Sequence, residues 1–346
     1  MAGLLKNLFL SASVIAGVGA MASAPAFAAS LTGASLSGTG SNTYGINPAA
    51  DFEIWDYASG SSSVLESYGT NTANLLDVLG GTGSSPGGNI ELFKSSEVGL
   101  NNSQFLNYDG VSSLDVSFDD GTSLTFSSLT AQDLFGSSLD TSYSGNTLAV
   151  QWFNDAWNAN VGNVMTGINN ILAADPGLQM MANLVFGIGP TVDNESELFT
   201  ILEFVGGSEY SSRENLFDAF YNAGGFQRTV DANIAYVKKD GDRVNWGLAG
   251  HADLLFYAPA EIQGLLSNAG ISLQASELFK VNDEIFYTFA GVGSDVIGDD
   301  GISFNMTYEG GTTVAAAVPE PSVMLGLMAV GGLVAASKRR KAVKDA

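Results

Sequence analysis

The stretch Leu114-Asp-Val-Ser-Phe-Asp-Asp-Gly-Thr-Ser-Leu-Thr-Phe126 decides how we interpret the fold of this chain. Apolar and polar residues alternate on both sides of Asp119-Asp120-Gly121, which is the pattern of two strands that each bury one face. The glycine permits the positive φ that a tight hairpin turn needs. The stretch therefore predicts an antiparallel β-hairpin.

Other short runs of this kind lie between clusters of Gly, Ser and Asn. In the first part of the chain the predicted runs are Phe52 to Tyr57, Ala73 to Leu79, Asn89 to Phe93 and Ser123 to Leu129. Later strands are predicted at Asn233 to Lys238, Arg243 to Leu248, Leu278 to Val281, Glu284 to Phe289 and Ser303 to Tyr308. Turn residues at Lys239-Asp240-Gly241-Asp242 and at Asn282-Asp283 predict two further hairpins. Short strands at this spacing favour an antiparallel β-sandwich-like body.

The apolar period changes near Leu148, where residues spaced by three and four predict amphipathic helices. One helix is expected after the capping residues Ser211-Ser212. A short helix is expected over Pro259 to Asn268. We therefore expect a mostly β, α+β fold with a β-rich first part at 29–147, a helical insertion at 148–224, and β-hairpins that complete the body at 225–311.

The N-terminal segment 1–28 has the order of a secretory signal peptide. Lys6 precedes an apolar run from Leu8 to Met21, and small residues follow at Ala26 and Ala28. A signal peptidase that needs small residues at these two positions would cut before Ala29. A first helix of the folded domain is the alternative, but the run shows no polar face.

The C-terminal segment 312–346 has the pattern of a tether followed by a membrane-sorting tail. Val318-Pro319-Glu320-Pro321 precedes an apolar helix predicted at 323–336, and the cations Lys338, Arg339, Arg340 and Lys341 follow it. The 14 apolar residues span about 21 Å as a helix, against a bilayer core of about 30 Å. Basic side chains that snorkel outward narrow the gap and favour the cytoplasmic side for this end. We expect a short transmembrane helix with the body outside the cytoplasm.

The Pro319-Glu320-Pro321 triplet, the short Gly-rich apolar helix and the terminal basic cluster together resemble the PEP-CTERM sorting domain of exported Gram-negative and cyanobacterial proteins. The resemblance implies recognition of the triplet by a membrane-embedded exosortase, removal of the tail, and display or release at the cell surface, often with extracellular polysaccharide. Without exosortase, the same tail would be a simple membrane anchor.

Three segments of the body are similar to one group of cyanobacterial PEP-CTERM proteins, namely Gln151 to Ala156, Asn233 to Val237 and Gly247 to His251. That group has no assigned activity, so the similarity implies no catalytic residue. The resemblance thus concerns the destination of the chain and leaves the role of its body open.

Charge and cysteine content exclude several function classes. Residues 29–318 hold 34 acidic and seven basic residues, a balance of minus 27. Phosphate backbones repel such a chain, so nucleic-acid binding is not expected. The chain has no cysteine, which excludes disulfides, thiolate nucleophiles and cysteine-ligated zinc. Its 20 Phe, 11 Tyr and four Trp predict a folded core.

Three acidic turns are candidate calcium ligands because carboxylate oxygens suit this cation. They contain the pairs Asp119 and Asp120, Asp240 and Asp242, and Asp299 and Asp300. None has the twelve-residue EF-hand spacing, and turn geometry alone explains Asp and Gly at such positions. Calcium is therefore the one cofactor for which the sequence offers ligands, and a structural role of these turns is the alternative.

Catalytic motifs are absent from the sequence. His251 is the only histidine, and neither a Gly-x-Ser-x-Gly elbow nor a His-Glu-x-x-His string is present. Glu53 beside Trp55, with Asp51 and Asp56, is the nearest approach to a glycosidase carboxylate pair. We predict an exported, non-enzymatic protein of the cell surface or extracellular matrix with a structural or binding role. A secreted glycan-active hydrolase and a glycan-binding or adhesive module are the alternatives.

Overall fold

A computed structural model describes residues 29–57, 65–96, 100–249, 254, 258, 260–268, 270–296 and 306–314. The strands are β1 (Leu31–Thr39), β2 (Glu53–Tyr57), β3 (Leu65–Ser67), β4 (Gly88–Glu91), β5 (Val111–Phe118), β6 (Ser123–Ser127), β7 (Asn233–Asp240), β8 (Arg243–Ala249), β9 (Phe279–Val281), β10 (Glu284–Phe286), β11 (Gly291–Gly293) and β12 (Met306–Thr313). The helices are α1 (Leu75–Leu79), α2 (Asn102–Leu106), α3 (Ala131–Phe135), α4 (Leu148–Ala174), α5 (Pro176–Phe186), α6 (Glu195–Gly206), α7 (Arg213–Asn222), α8 (Gly225–Arg228) and α9 (Ala260–Asn268).

The described strands form two antiparallel sheets, so the fold is α+β. The first sheet has the order β1-β5-β6-β9-β10, and the second has the order β11-β12-β8-β7-β4-β2-β3. Both sheets contribute side chains to one apolar cluster, in which the rings of Phe126 and Trp246 meet edge to face at 5.5 Å. The alternating pattern of β5, with Leu114 and Val116 buried, supplies one wall of this core.

The hairpin turns follow the local sequence. Gly121 in the β5–β6 turn has a φ of 84°, as the quoted stretch predicts. Asn282 and Asp283 join β9 to β10 with φ values of 48° and 69°, the positive pair of a type I′ turn. Gly241 lies in the β7–β8 turn with a φ of 61°. All three predicted hairpins are confirmed.

Helices α4 to α7 begin at polar caps. Thr147 caps α4, Asp175 caps α5 with Pro176 at the first turn, and Ser212 caps α7 as predicted. Their aromatic side chains, including Trp152, pack with those of α3 and α8 in a second cluster. The helical run extends beyond the predicted boundary at residue 224 and includes α8.

Several predicted elements differ from those observed. Ala73 to Leu79, predicted as a strand, forms a 3-10 turn and helix α1, because Leu75, Val78 and Leu79 bury one helical face. Strands β1, β3 and β11 and helices α2 and α3 were not predicted from the sequence. Strand β12 runs to Thr313, two residues into the predicted tether, while 303–305 lie outside the described residues.

No helix in the described ranges has the length and apolar character needed to cross a membrane. The predicted transmembrane helix at 323–336 and the predicted signal peptide at 1–28 both lie outside the described residues.

Candidate functional site

The segments at which the described body begins and ends lie at the same pole of the two sheets. The amide of Asp119, in the β5–β6 turn, donates a hydrogen bond to the carbonyl of Ser30 at 3.0 Å. The amide of Val314 donates to the carbonyl of Asp242, in the β7–β8 turn, at 2.8 Å. We call this region the terminal pole. It consists of Ser30, Val314 and the β5–β6 and β7–β8 turns.

An ion pair between Lys239 and Asp120 joins the two turns. The Lys239 side chain is 4% exposed, so its ammonium group depends on a nearby carboxylate. Hydrogen bonds from Lys239 and from the Thr122 amide lower the pKa of Asp120 to about 2. Asp120 therefore stays ionised down to a pH of about 2, and its ion pair with Lys239 couples the two sheets at the terminal pole.

The structure places four of the predicted calcium ligands at this pole, namely Asp119, Asp120, Asp240 and Asp242. Asp120 already accepts from Lys239 and from the Thr122 amide. Among the described residues, no group of three or more histidine or acidic side chains is placed to hold a metal ion. Calcium binding stays a prediction for these turns.

Of the other predicted site residues, Ala29 packs against the apolar core beside the terminal pole. The remaining predicted site residues lie outside the described residues, and they are Ala26, Ala28, His251, Asp299, Asp300, Pro319, Glu320, Pro321, Lys338, Arg339, Arg340 and Lys341.

A groove of about 780 Å³ opens beside the terminal pole. Its lining joins Ala29 and Ser30 at the start of the body to strands β7, β8 and β12. The charged residues of the lining are Lys238, Lys239, Asp240, Arg243 and Glu309. The groove therefore holds three of the seven basic residues of the acidic segment 29–318. We call it the polar groove.

The polar groove combines charged and hydrogen-bonding groups with apolar side chains, and its aromatic residues Phe118, Tyr236 and Trp246 are buried. Tyr236 is 6% exposed, and its hydroxyl donates to Glu309 Oε1 at 2.9 Å. Burial, and then this hydrogen bond, raise the pKa of Tyr236, so the phenol stays protonated. Lys238 Nζ lies 5.4 Å from the centre of the Tyr236 ring. Arg243 donates to Asn245 Oδ1 at 2.7 Å. Such a site is better suited to hydrogen bonding with sugar hydroxyls or anionic groups than to stacking of a sugar ring on an aromatic side chain.

The sequence indicates this groove through a cluster of cations that had not been predicted as a site. The six positions 238–243 span a predicted hairpin turn and contain Lys238, Lys239 and Arg243. The rest of the body has few cations. Clustered charge at one hairpin tip concentrates the positive potential of an acidic protein at one place.

A second polar cluster crosses the larger sheet on β2, β4 and β7. Glu53 lies opposite Glu91, and Glu91 lies opposite Asn233 in the strand register. Glu277 accepts hydrogen bonds from the Asn233 amide and from Asn233 Nδ2, both at 3.1 Å. All four side chains are buried. We call this set the polar row.

Protein donors hold both carboxylates of the Glu53 and Glu91 pair. Glu53 accepts from the Ser67 hydroxyl and pairs with Lys94. Glu91 accepts from Trp55 Nε1 at 3.3 Å. Buried carboxylates are stable only with such partners, so this geometry favours a structural role for the pair. The glycosidase alternative built on Glu53 and Trp55 gains no support from it.

The neighbouring acidic residues also have partners. Asp51 accepts from the Tyr108 hydroxyl at 2.7 Å and from the Ser95 hydroxyl at 2.6 Å. Asp56 accepts from Asn74 Nδ2 at 3.1 Å. These hydrogen bonds hold the neighbouring loops against the sheet. They give the acidic residues around Trp55 a structural role.

Comparisons of this chain with protein-family models, with curated proteins and with solved structures find no match.

Proposed function

We propose that this chain is an exported bacterial surface protein whose antiparallel β-sandwich-like body has a structural or binding role outside the cell. In this proposal a signal peptidase cuts before Ala29, and an exosortase recognises Pro319-Glu320-Pro321. The apolar segment 323–336 holds the chain in the inner membrane during sorting, and the cations from Lys338 to Lys341 stay in the cytoplasm.

The observation that carries the proposal is that the described body begins and ends at one pole, next to the positions at which the proposed signals are attached. Ala29 and Ser30 border the polar groove beside the terminal pole. Val314 is hydrogen-bonded to Asp242 in the β7–β8 turn of the same pole. A body whose two ends leave at one pole presents its opposite pole away from the membrane. This geometry suits display at the end of a short tether.

Composition supports an extracellular role for the body. The balance of minus 27 over 29–318 favours solubility and disfavours contact with anionic membrane surfaces. The absence of cysteine makes the fold independent of the redox state of its compartment. The extensive core described above can hold the body together by burial alone.

The polar groove supports a binding role with extracellular polysaccharide as the partner. It combines the cations Lys238 and Arg243 with the amide of Asn245, and these groups suit hydroxyl and carboxylate substituents of sugars. Its volume of about 780 Å³ falls within the usual range of about 300–1,000 Å³ for ligand sites.

Intact mass and cell fractionation in the native host test the sorting proposal. We expect a mature species that begins at Ala29, lacks the tail after about Pro321, and is found outside the inner membrane. Replacing the signal residue, Glu320→Ala, should leave the tail attached and the protein in the membrane. The matched change Glu284→Ala, at an exposed position of β10, should be processed normally. A wild-type species that keeps Lys338 to Ala346 and stays in membranes would refute the exosortase step.

Retention of the protein on surface polysaccharide from the same host tests the binding role. The double variant Lys238→Ala with Arg243→Ala should lose retention, because it removes two cations from the polar groove. Lys94→Gln is the control, since it removes a cation outside the groove and keeps a hydrogen-bond donor beside Glu53. If wild type and both variants are retained equally, the groove is not the polysaccharide site.

A further inference from the structure

Helix α5 turns large apolar side chains toward solvent. Leu184 is 74% exposed, Val185 is 63% exposed and Met180 is 62% exposed, while Leu178 is 38% exposed. Ala182 faces inward and is buried. A helix on the surface of a soluble domain normally shows the opposite arrangement, with polar residues outward.

The exposed residues share one side of the helix. At 3.6 residues per turn, Met180 and Leu184 lie one turn apart, and Leu178, Met181 and Val185 follow the spacing of three and four. These residues cover one arc of about 160° around the helix axis, and Ala182 lies outside this arc. Met181 is partly buried within it. We call this side of α5 the apolar face.

Helix α6 extends the apolar face at its C-terminal end. The rings of Phe186 and Phe204 meet edge to face with their centres 5.0 Å apart. Phe204 is itself 57% exposed, next to the end of α5. The face is therefore continuous over two helices, which distinguishes it from apolar side chains scattered singly over a surface.

The α5 part of the apolar face is also free of charge, whereas on α6 the exposed Glu203 precedes Phe204. Residues 176–192 contain no Asp, Glu, Lys or Arg, although the body carries a large acidic excess. Asp175 caps the start of α5, and Asp193 follows the uncharged segment. Two acidic bodies can therefore approach through this segment with less repulsion than elsewhere on their surfaces.

We propose that α5 is a self-association surface, on which α5 of a second copy of this chain packs in antiparallel fashion about a two-fold axis. A helical face of spaced apolar residues can be complementary to itself, as a two-fold interface requires. A membrane surface is a poorer partner, because helices that lie on bilayers carry Lys or Arg beside their apolar face and α5 is flanked by Asp175 and Asp193.

The size of the face sets the strength of the contact. The exposed fractions of Leu178, Met180, Leu184, Val185 and Phe204 amount to about three whole side chains, or on the order of 500 Å² per copy. Two copies would bury about 1,000 Å², which is the lower limit for a specific protein interface. We therefore expect a reversible dimer whose population depends on concentration.

The absence of cysteine makes a cross-linking test unambiguous. Single variants Met181→Cys and Leu184→Cys place one thiol on the apolar face of the full chain. A short bismaleimide added to cells that produce each variant should yield covalent dimers for at least one of them. The control Val292→Cys places a thiol at a position of β11 that is 54% exposed and outside the face.

A charge placed on the face gives the second arm of the experiment. Adding Val185→Glu to the cross-linking variant should lower the dimer yield by about tenfold or more, because the change buries two like charges in the interface. Val185 is largely exposed, and an unchanged circular dichroism spectrum will verify that the variant is folded. Light scattering of the purified chain over a range of concentrations should show dimers for the wild type and monomers for the glutamate variant.

Three outcomes would overturn the proposal. Equal cross-linking of Leu184→Cys, Met181→Cys and Val292→Cys would mean random collision. Cross-linking that is unaffected by Val185→Glu would place the contact elsewhere. Sedimentation of the wild type with phosphatidylglycerol vesicles, lost in Val185→Glu and without dimers, would assign the face to the membrane.

Discussion

Replacing Tyr108 with phenylalanine tests whether the loop that holds Asp51 stabilises the body through a buried network. The Asp51 carboxylate is buried and accepts three hydrogen bonds from two residues. Tyr108 donates its hydroxyl at 2.7 Å, and Ser95 donates its amide at 3.0 Å and its hydroxyl at 2.6 Å. Tyr108→Phe removes one of these donors and keeps the aromatic ring, which is stacked on Phe93 at 5.7 Å.

The expected loss follows from burial and charge. Hydrogen bonds to charged groups contribute about 1.5–3 kcal/mol, and both side chains here are shielded from water that could replace the donor. We therefore expect Tyr108→Phe to lower the free energy of unfolding by about 1.5–3 kcal/mol. Because the ring stays in place, the loss should not include the larger cost of a cavity.

Urea unfolding followed by tryptophan fluorescence measures this difference. Tyr44→Phe is the matched control, since Tyr44 is 47% exposed and its change should fall within about 0.5 kcal/mol of wild type. The dependence on urea should keep the same slope in both variants, so that the shift in midpoint reports stability. If Tyr108→Phe is as stable as Tyr44→Phe, the network does not stabilise the body and the argument from buried partners fails.

Three further predictions concern the terminal pole, the sheet packing and the tyrosines. Asp120→Asn should lower the melting temperature at neutral pH because it leaves the buried Lys239 ammonium without its carboxylate, and the difference from wild type should vanish as the pH falls through about 2. Gly310→Ala should destabilise the body by about 1–3 kcal/mol, since a Cβ there would lie 2.4 Å from Trp246 Nε1, whereas Gly293→Ala, which meets no atom within 4 Å, should not. An alkaline titration of phenolate absorbance should show a group of tyrosines that ionise only as the protein unfolds. Burial is the first cause of the raised pKa of each of these tyrosines. Their neutral form therefore contributes stability below the ordinary pKa of about 10, and this contribution is lost as the pH rises above that value. The tyrosines concerned are Tyr108, Tyr210, Tyr221, Tyr236 and Tyr287. A gradual titration at ordinary pH, before any change in circular dichroism, would contradict the last of these.

The hairpins were predictable because their information is local. A turn such as Asn282-Asp283 needs residues that tolerate positive φ, and the strands on either side need only an alternating pattern. The same holds for the helices, whose caps Thr147 and Ser212 precede apolar residues at helical spacing. Local chemistry specified these elements whatever they later packed against.

Strand β1 was not predictable from its own residues. It is a nine-residue strand with two Gly and two Ser, and Thr32 and Thr39 are its only residues of the types that favour strands. Its structure comes from pairing with β5, which has the alternating pattern. Conversely, the apolar run at Ala73 to Leu79 was predicted as a strand and is helical, because the period of so short a run is ambiguous.

The polar row could not be found by inspection of the sequence. Glu53 and Glu91 are far apart in the chain and become neighbours only through the register of β2 with β4. Ile54 and Ile90 pair in the same register and face the core, so each glutamate takes the opposite side of its strand. A sequence pattern can indicate that a side chain alternates in this way, but the identity of its partner depends on the complete sheet.

The terminal pole also sets the order in which the proposed processing steps have to occur. Ala29 and Leu31 pack against the core. Once β1 has paired with β5, no unpacked residues separate the peptide bond before Ala29 from the folded body. A protease that binds its substrate as an extended strand therefore has to cut this bond before the pole forms. At the other end, residues 315–318 separate Val314 from Pro319 and can span at most about 3.3–3.6 Å each. We therefore expect an exosortase to reach the tail after the body has folded. We thus expect pulse-labelled chains that keep their tail to resist protease already, whereas chains that keep their signal stay sensitive. Protease-resistant chains that still carry residues 1–28 would refute this order.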